Sequence, residues 1–201
     1  MASDEERVEI WNTYLGLANF FANELTKTKN GNVENNGNNK FYSKIFKLDL
    51  KGGILPENEF LKLATILICN LAIEARINHM IEYEIKKDKT LNGLAKNLEW
   101  CNTKWKWFLL PFYTRNKKLD HGNPPHQAIC DLYSLRNDLI HITYYKDLKS
   151  KLNDSNLSVN KVIGYYNNFI EAMFDLNKIM YRLSQNEFTE KYGDVITKLK
   201  I

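Results

Sequence analysis

Three polar residues near the end of one predicted helix could act together on a phosphodiester. They are Arg136, Asn137 and His141. An arginine guanidinium offers a planar fork for two phosphate oxygens. Histidine is the side chain whose ordinary pKa lets it both take and give a proton near neutral pH. An arginine and a histidine held on one rigid helix could therefore cleave RNA.

The spacing of these residues also has a simpler explanation. One Arg, one Asn and one His within a short stretch arise by chance on many helices, where they form a solvated polar face. Another interpretation is structural, with Arg136 in a helical dimerisation domain and paired only with an acidic neighbour such as Asp138 or Glu74. Spacing alone favours the solvated face, so the surrounding sequence has to decide.

The helix that carries the three polar residues also has two apolar bands. At about 100° per residue, the band that we assign to the core contains Ala128, Leu132, Leu135, Leu139 and Ile142. His141 falls nearly opposite this band and close to Asn137, one turn earlier. The second band lies where a monomeric bundle would ordinarily place charged residues. We expect it to form a dimer interface through Tyr133, Ile140 and Tyr144.

The segment from Arg136 to His141 resembles the signature of the HEPN superfamily, in which four to six residues separate an arginine from a histidine and a polar residue follows the arginine. The long upstream helix with Ala72-Ile73-Glu74-Ala75-Arg76-Ile77-Asn78-His79 is similar to the other central helix of that family. The segment Lys104 to Pro111 resembles one that many members carry between the two helices. The resemblance covers residues 56–184.

The resemblance implies a homodimeric all-helical domain whose signature helices face each other across a cleft. In active members this domain is a metal-independent endoribonuclease that needs no cofactor. By this resemblance Arg136 contacts the scissile phosphate, and Asn137 orients the substrate or the imidazole. His141 acts in acid/base catalysis on the ribose 2′-hydroxyl. The expected products are a 2′,3′-cyclic phosphate and a 5′-hydroxyl.

The resemblance also suggests secondary residues and a biological setting. Residues that could bind substrate or assist are Asp138, Tyr144, Glu74 and His79. Some toxin members carry a tyrosine two residues after the histidine, where this chain has Thr143. The main hypothesis is a ribonuclease of a toxin–antitoxin or phage-defence system, restrained by an antitoxin or a nucleotidyltransferase. The alternative is an inactive module that binds RNA or a nucleotide.

Two further groups of residues are weaker candidates for a site. His121, His126 and Cys130 could be drawn as a metal trio, but no second cysteine or carboxylate completes the set, so we expect no metal. The second group resembles a stacking surface for single-stranded RNA, although aromatics at helical spacing more often belong to the core. Its aromatic members are Trp105, Trp107, Phe108, Phe112 and Tyr113, interleaved with Lys104, Lys106 and Arg115.

The composition is that of one globular domain spanning residues 1–201. Hydrophobic residues make up 44% and charged residues 26% of the 201 residues, which excludes a disordered, collagenous or disulfide-scaffold protein. The net charge of +4 is too small to indicate nucleic acid by itself. Cys69, Cys101 and Cys130 lack paired spacing, so we expect reduced core thiols. With neither a signal peptide nor a membrane span, we expect a cytoplasmic protein.

The elements that position the candidate site are predicted from helical periodicity and from capping and breaking residues. We predict an all-α, antiparallel bundle of four to five helices. Residues 28–55 are predicted to form a mobile Asn/Gly-rich loop and a short extended segment or hairpin around residues 41–50, and residues 185–201 a tail. The predicted helices span residues 4–26, 56–87, 90–100, 105–113, 127–145 and 159–184, with Thr90 as a cap and Pro111 as a kink or an end.

Overall fold

The computed structural model describes residues 4–29, 57–142, 144–154 and 157–201. These residues form eight α-helices and no strand, so the predicted all-α class is confirmed for this part of the chain. The number of helices exceeds the predicted four or five. The helices are α1 (Asp4–Lys29), α2 (Glu57–Lys87), α3 (Asn92–Glu99), α4 (Thr103–Arg115), α5 (Gln127–Ile140), α6 (Tyr145–Leu152), α7 (Val159–Met180) and α8 (Gln185–Leu199).

The two longest helices, α1 and α2, pack side by side in opposite directions. The rings of Phe21 and Phe60 meet edge to face at 6.2 Å near one end of the pair. Near the other end, the Arg76 guanidinium lies 4.5 Å from the centre of the Trp11 ring. Ala18 and Ala22 are fully buried, and their small side chains allow α1 to approach closely. The pair forms one wall of the core.

Helix α7 supplies the apolar centre against which the other helices pack. Tyr166, Phe169 and Ile170 on this helix are fully buried. The Tyr166 hydroxyl accepts a hydrogen bond from the Asn19 side chain and donates one to the Leu199 carbonyl, each at 2.8 Å. Burial raises the pKa of this phenol, which therefore stays neutral. One buried tyrosine thus connects α7 with both α1 and the end of α8.

Helix α5, which carries the candidate site, runs antiparallel to α2. The side-chain amide of Asn70 on α2 donates to the Leu132 carbonyl on α5 at 2.9 Å. Further toward the C-terminus of α2, Asn78 accepts from Lys106 of α4 at 3.1 Å, and the neighbouring Trp107 contacts His126 just before α5 begins. The direction of α5 therefore carries its C-terminal half toward the N-terminal half of α2.

Two helix boundaries differ from the prediction because local interactions outweigh simple breaking rules. Helix α4 continues through Pro111 to Arg115, although an interior proline removes one hydrogen bond. Complete burial of Trp107 and near-complete burial of Leu110 compensate for this loss. The short helix α3 follows a 3₁₀ turn that Asp88 caps by accepting from the Thr90 amide at 2.9 Å, so the predicted Thr90 cap is wrong.

The C-terminal segment is a helix and not the predicted tail. Ser184 and Glu187 form a reciprocal capping box at the start of α8. Phe188, Tyr192 and Ile196 then pack against the core from one helix face. The preceding helix α7 ends at Met180, four residues before the predicted end at Ser184. Helical spacing of these apolar residues was the signal that could have revealed α8.

Helix α5 ends at Ile140, and the predicted extension to residue 145 is wrong. His141 is the C-cap residue, and Tyr144 has the extended backbone of an N-cap for α6. Ile140 and Ile142 are β-branched residues, which lowers the helical preference at this point. A separate helix α6 also buries Leu148 and Leu152 against the core, which a straight continuation of α5 would not provide.

The three cysteines are free thiols, as the prediction of reduced residues requires, but only Cys69 is fully buried. Burial raises the pKa of the Cys69 thiol well above its ordinary range. Cys101 and Cys130 are half-buried and pack against the edge of the core. No described helix is long and apolar enough to cross a membrane. The extended segment and most of the loop predicted for residues 28–55 lie outside the described residues, whereas Thr28 and Lys29 are helical.

Candidate functional site

Arg136 and Asn137 form a hydrogen-bonded pair in the last turn of α5. The Arg136 Nη1 group donates to Asn137 Oδ1 at 2.9 Å, and both residues are half-buried. No carboxylate of the described residues lies within ion-pair distance of Arg136. An arginine has five N–H donors, so most of the Arg136 donors remain available for an anionic ligand.

His141 is exposed at the point where α5 stops. Its backbone has φ −88° and ψ −3°, and its amide donates to the Leu139 carbonyl. The predicted position of His141, away from the core face, is therefore confirmed. The imidazole makes no hydrogen bond with any residue in the described part of the chain. An exposed imidazole without a fixed partner can exchange protons with a bound substrate.

The core face of α5 is largely as predicted, and the second apolar band is partly exposed. Ala128, Leu132 and Leu139 are buried, whereas Leu135 and Ile142 are only half-buried. In the second band, Ile140 is 45% exposed and Tyr144 is 60% exposed, while Tyr133 is half-buried. Tyr144 lies beyond the end of α5, so this band is not a continuous helix face as predicted.

Asp138 does not pair with Arg136. Its Oδ2 atom lies 3.4 Å from the Lys151 ammonium of α6, and both side chains are substantially exposed. An exposed ion pair of this kind contributes at most about 1 kcal/mol to stability. The contact is a weak link between α6 and the end of α5. Asp138 is therefore not the partner of the Arg136 guanidinium, which binds Asn137 instead.

The two secondary residues on α2 do not join Arg136. The Asn70–Leu132 hydrogen bond shows which residues of α2 and α5 lie side by side. Because the helices are antiparallel, Arg136 lies one turn beyond Leu132 in one direction, while His79 lies nine residues beyond Asn70 in the other. At 1.5 Å per residue this places them about 20 Å apart along the helices. Glu74 is exposed on the intervening stretch of α2.

His79 instead belongs to a separate cluster around Arg76. The Arg76 guanidinium is 3.2 Å from His79 Nδ1 and donates to Asn177 Oδ1 of α7 at 2.5–3.0 Å and to the Tyr181 hydroxyl at 3.2 Å. Arg76 is only 4% exposed, and its burial lowers its pKa. Arginine nevertheless remains protonated in proteins. This cluster joins α2 to the end of α7.

The possible metal trio is not assembled. His126 is buried between Trp107 of α4 and Asp175 of α7, with Trp107 Nε1 at 3.3 Å and Asp175 Oδ2 at 2.9 Å. His121 is exposed, and its ring contacts Phe108. Within the described ranges, no three His, Cys, Asp or Glu residues are arranged to hold a metal ion. Sequence reasoning missed the His126–Asp175 pair because 49 residues separate its members.

The aromatic segment on α4 divides into a buried and an exposed face. Trp107 and Phe108 are buried, in agreement with a core position. The core interpretation is wrong for the three residues that remain exposed, which are Trp105 at 46%, Phe112 at 45% and Tyr113 at 57%. The Lys104 ammonium lies 5.0 Å from the centre of the Trp105 ring. An exposed aromatic with a cation beside it is suited to stacking against a nucleobase.

Comparisons of this chain with protein-family models, curated proteins and solved structures found no match.

Proposed function

We propose that this chain is a metal-independent endoribonuclease of the HEPN type, acting through Arg136 and His141. The observation that carries the proposal is the hydrogen bond between Arg136 and Asn137. Asn137 lies one turn before His141 and therefore on the same side of α5. By binding Asn137, the guanidinium is drawn toward the side of the helix that carries the imidazole.

The chemistry requires the phosphate, the 2′-hydroxyl and a proton carrier to meet. The free donors of Arg136 bind the phosphate oxygens and stabilise the charge that develops in the transition state. His141 removes the proton from the 2′-hydroxyl, and the resulting imidazolium or a water molecule gives a proton to the departing 5′-oxygen. The 2′-oxygen attacks phosphorus and the bond to the 5′-oxygen breaks, which leaves a 2′,3′-cyclic phosphate and a 5′-hydroxyl.

In a homodimer, the arginine of one copy would bind the phosphate and the histidine of the other copy would transfer the proton. Five residues at about 100° each place Arg136 and His141 about 140° apart around the helix axis. A twofold pairing of α5 ends would bring the arginine of one copy near the histidine of the other. The exposed side chains of Ile140 and Tyr144 supply apolar area for that contact. An antitoxin or a nucleotidyltransferase would restrain the active dimer in the cell.

The test is cleavage of a defined RNA by the purified full chain. We expect cleavage in excess EDTA, no cleavage of DNA or of RNA methylated at the 2′ position, and 2′,3′-cyclic phosphate ends. Arg136→Ala and His141→Ala should each lower the rate by about 10²-fold or more. The exposed residues Lys96 and His121 provide matched controls, since Lys96→Ala and His121→Ala should retain activity. Activity that disappears with EDTA or survives both site variants would disprove the proposal.

A second candidate function is RNA binding without cleavage. The exposed faces of Trp105 and Tyr113 favour it, because stacking on aromatic side chains holds single-stranded RNA without requiring any reaction. In that case the RNA should remain intact, and Trp105→Ala should weaken RNA binding more than His141→Ala. If Trp105→Ala leaves RNA binding unchanged, the stacking function is excluded.

A further inference from the structure

A cavity of about 730 Å³ opens where the C-terminal ends of α4 and α7 meet. This volume lies within the range of small-molecule sites. The apolar part of its wall includes Leu119, Ile179 and Leu183. Its charged lining contains more cations than carboxylates, namely Arg115, Lys117, Lys118, Lys178 and Arg182 against Asp120 and Asp175. The cavity therefore has the electrostatic character of a site for an anion.

Two of these cations, Lys117 and Arg182, have no side-chain partner among the described residues. Arg115 is satisfied by both oxygens of Glu84, at 2.7 and 2.5 Å, and Lys178 donates to Gln185. By contrast, the side chains of Lys117 and Arg182 make no hydrogen bond or ion pair with any residue of the described ranges. Their charge is available to a ligand in the cavity.

The backbone of Arg182 has a conformation that is unusual for an arginine. Its φ angle is 55°, in the left-handed region that side chains disfavour. The Leu183 amide donates to the Lys178 carbonyl at 3.0 Å and the Arg182 amide to the Ile179 carbonyl at 3.2 Å. This is the Schellman arrangement at the end of α7, in which glycine is the usual residue at this position. An arginine therefore occupies a position that the local backbone conformation disfavours for it.

A buried histidine holds one carboxylate at the wall of the cavity. The Trp107 indole can only donate, so His126 Nδ1 must accept and Nε2 must carry the proton. That N–H donates to Asp175 Oδ2 at 2.9 Å. His126 is buried, whereas the Asp175 side chain is 41% exposed. The remaining lone pairs of the Asp175 carboxylate can accept a hydrogen bond from a ligand.

The second carboxylate of the lining is already engaged by its own loop. Asp120 accepts from the Gly122 amide at 2.8 Å and from the Asn123 side chain at 2.7 Å. These two bonds fix the turn that follows Leu119. Asp175 is therefore the carboxylate that remains for a ligand, and beside several cations it favours a ligand that carries a hydrogen-bond donor next to its negative charge.

We propose that this cavity binds the di- or triphosphate group of a small hydroxyl-bearing molecule, with the phosphates on Lys117 and Arg182 and a hydroxyl on Asp175. The site is distinct from the proposed ribonuclease centre. His126 precedes the first residue of α5 and His141 follows its last residue, and the 14 residues between them span about 21 Å. The two sites therefore lie at opposite ends of one helix.

The experiment is calorimetric titration of the purified full chain, without metal ions, with three probes: ATP, inorganic tripolyphosphate and adenosine. ATP presents both phosphates and hydroxyls, tripolyphosphate only phosphates, and adenosine only hydroxyls. We expect ATP to bind most tightly, tripolyphosphate about tenfold less tightly, since it lacks the hydrogen bond to the Asp175 carboxylate, and adenosine not to bind.

Two variants separate the contributions of the cations and the carboxylate. Arg182→Gly should weaken the binding of ATP and of tripolyphosphate by about tenfold each, which is the loss expected for one charge-assisted hydrogen bond. Its melting temperature should stay the same or rise, because glycine relieves the left-handed backbone. Asp175→Asn leaves a weaker acceptor for the ligand hydroxyl and removes a negative charge, so it should reduce the preference for ATP over tripolyphosphate, whose own binding should not weaken.

Several results would overturn the proposal. One is failure of ATP to bind with a dissociation constant below about 1 mM. Another is an equal loss of binding in Lys96→Ala, which would indicate general attraction to a basic protein. A third is loss of ATP binding in Arg136→Ala with retention in Arg182→Gly, which would place the ligand at the other end of α5. The last result would leave the ribonuclease proposal untouched, so the two proposals can fail separately.

Discussion

The side-chain amide of Asn70 donates to the backbone carbonyl of Leu132 at 2.9 Å, across the contact between α2 and α5. Asn70 is buried, and the same Nδ2 group also donates to the Ile66 carbonyl within its own helix. Leu132 lies one turn before Arg136. This buried polar contact therefore joins the helix that carries the candidate site to the longest described helix, beside the apolar packing of Ile129 and Leu132.

Asn70→Ala should destabilise the protein because it removes this contact from the core. A lost hydrogen bond and the space left by the amide together predict a loss of about 1–3 kcal/mol in the free energy of unfolding. Chemical denaturation of the two proteins gives this difference. Asn186→Ala is the control, because Asn186 is exposed on α8. If the free energy of unfolding changes no more in Asn70→Ala than in this control, the contact does not stabilise the fold.

Leu132→Ala should be far more destabilising than His141→Ala. Leu132 is 1% exposed, so its truncation leaves a cavity that is expected to lower stability by about 2–5 kcal/mol. His141 is exposed at the end of α5, and its replacement should change stability by less than about 0.5 kcal/mol. Leu135 is half-buried, so Leu135→Ala should lie between these two variants. Thermal melts rank the three, and a His141→Ala loss equal to that of Leu132→Ala would make the histidine structural.

The parts of the fold that follow from local periodicity could be predicted from the sequence. The apolar spacing predicts the start and end of α2 to within one residue. Both the apolar pattern and the Lys86-Lys87 pair at its end lie within the helix itself, so no contact with a distant segment is needed. Helix α5 was overextended, since its end depends on how Leu148 and Leu152 of α6 reach the core. No local pattern contains that information.

For the candidate site too, some features follow from local spacing and others depend on how distant helices pack. The exposure of His141 and its position on the same side of the helix as Asn137 follow from helix geometry, which needs only residue spacing. The separation of His79 from Arg136 depends on the antiparallel packing of α2 against α5, which spacing within one helix cannot give. The cavity beside Asp175 depends on the meeting of α4 and α7, two segments that are distant in the sequence. No single stretch of the sequence therefore contains its cluster of basic residues.

The capping box at the start of α8 should weaken in acid. The Ser184 hydroxyl and its backbone amide donate to the Glu187 carboxylate, which lowers the pKa of Glu187. Because the folded pKa lies below the unfolded value, the stabilisation is fully present above the unfolded pKa and is lost as the pH falls through the folded pKa. An NMR titration of the Glu187 carboxyl should give a midpoint below the ordinary value of about 4.3.

Two variants test the origin of this shift. Ser184→Ala removes the side-chain donor and should raise the Glu187 midpoint toward its ordinary value, with lower amide protection in the first turn of α8. Asn186→Ala lies in the same turn without contributing to the box, so it should leave the midpoint unchanged. If the Glu187 midpoint stays the same in Ser184→Ala, the hydroxyl is not the cause.

Asn137 should act as a positioning residue for Arg136 in the proposed RNA cleavage. Asn137→Ala removes the acceptor at 2.9 Å and frees the guanidinium, so we expect kcat to fall by about tenfold with little change in KM. Asn137→Asp keeps an acceptor in the same place but adds a negative charge beside the phosphate, so it should raise KM. Steady-state kinetics on a short defined RNA separate these two effects.

The controls for Asn137 must distinguish positioning from stability. Both variants should retain the melting temperature of the parent protein to within a few degrees, since Asn137 is half-buried at a helix end. Arg136→Lys should lose activity even with Asn137 present, because an ammonium group cannot bind the amide and two phosphate oxygens in one plane. If Asn137→Ala retains full kcat, the hydrogen bond to Arg136 has no part in catalysis, and the observation that carries the proposed function would have to be abandoned.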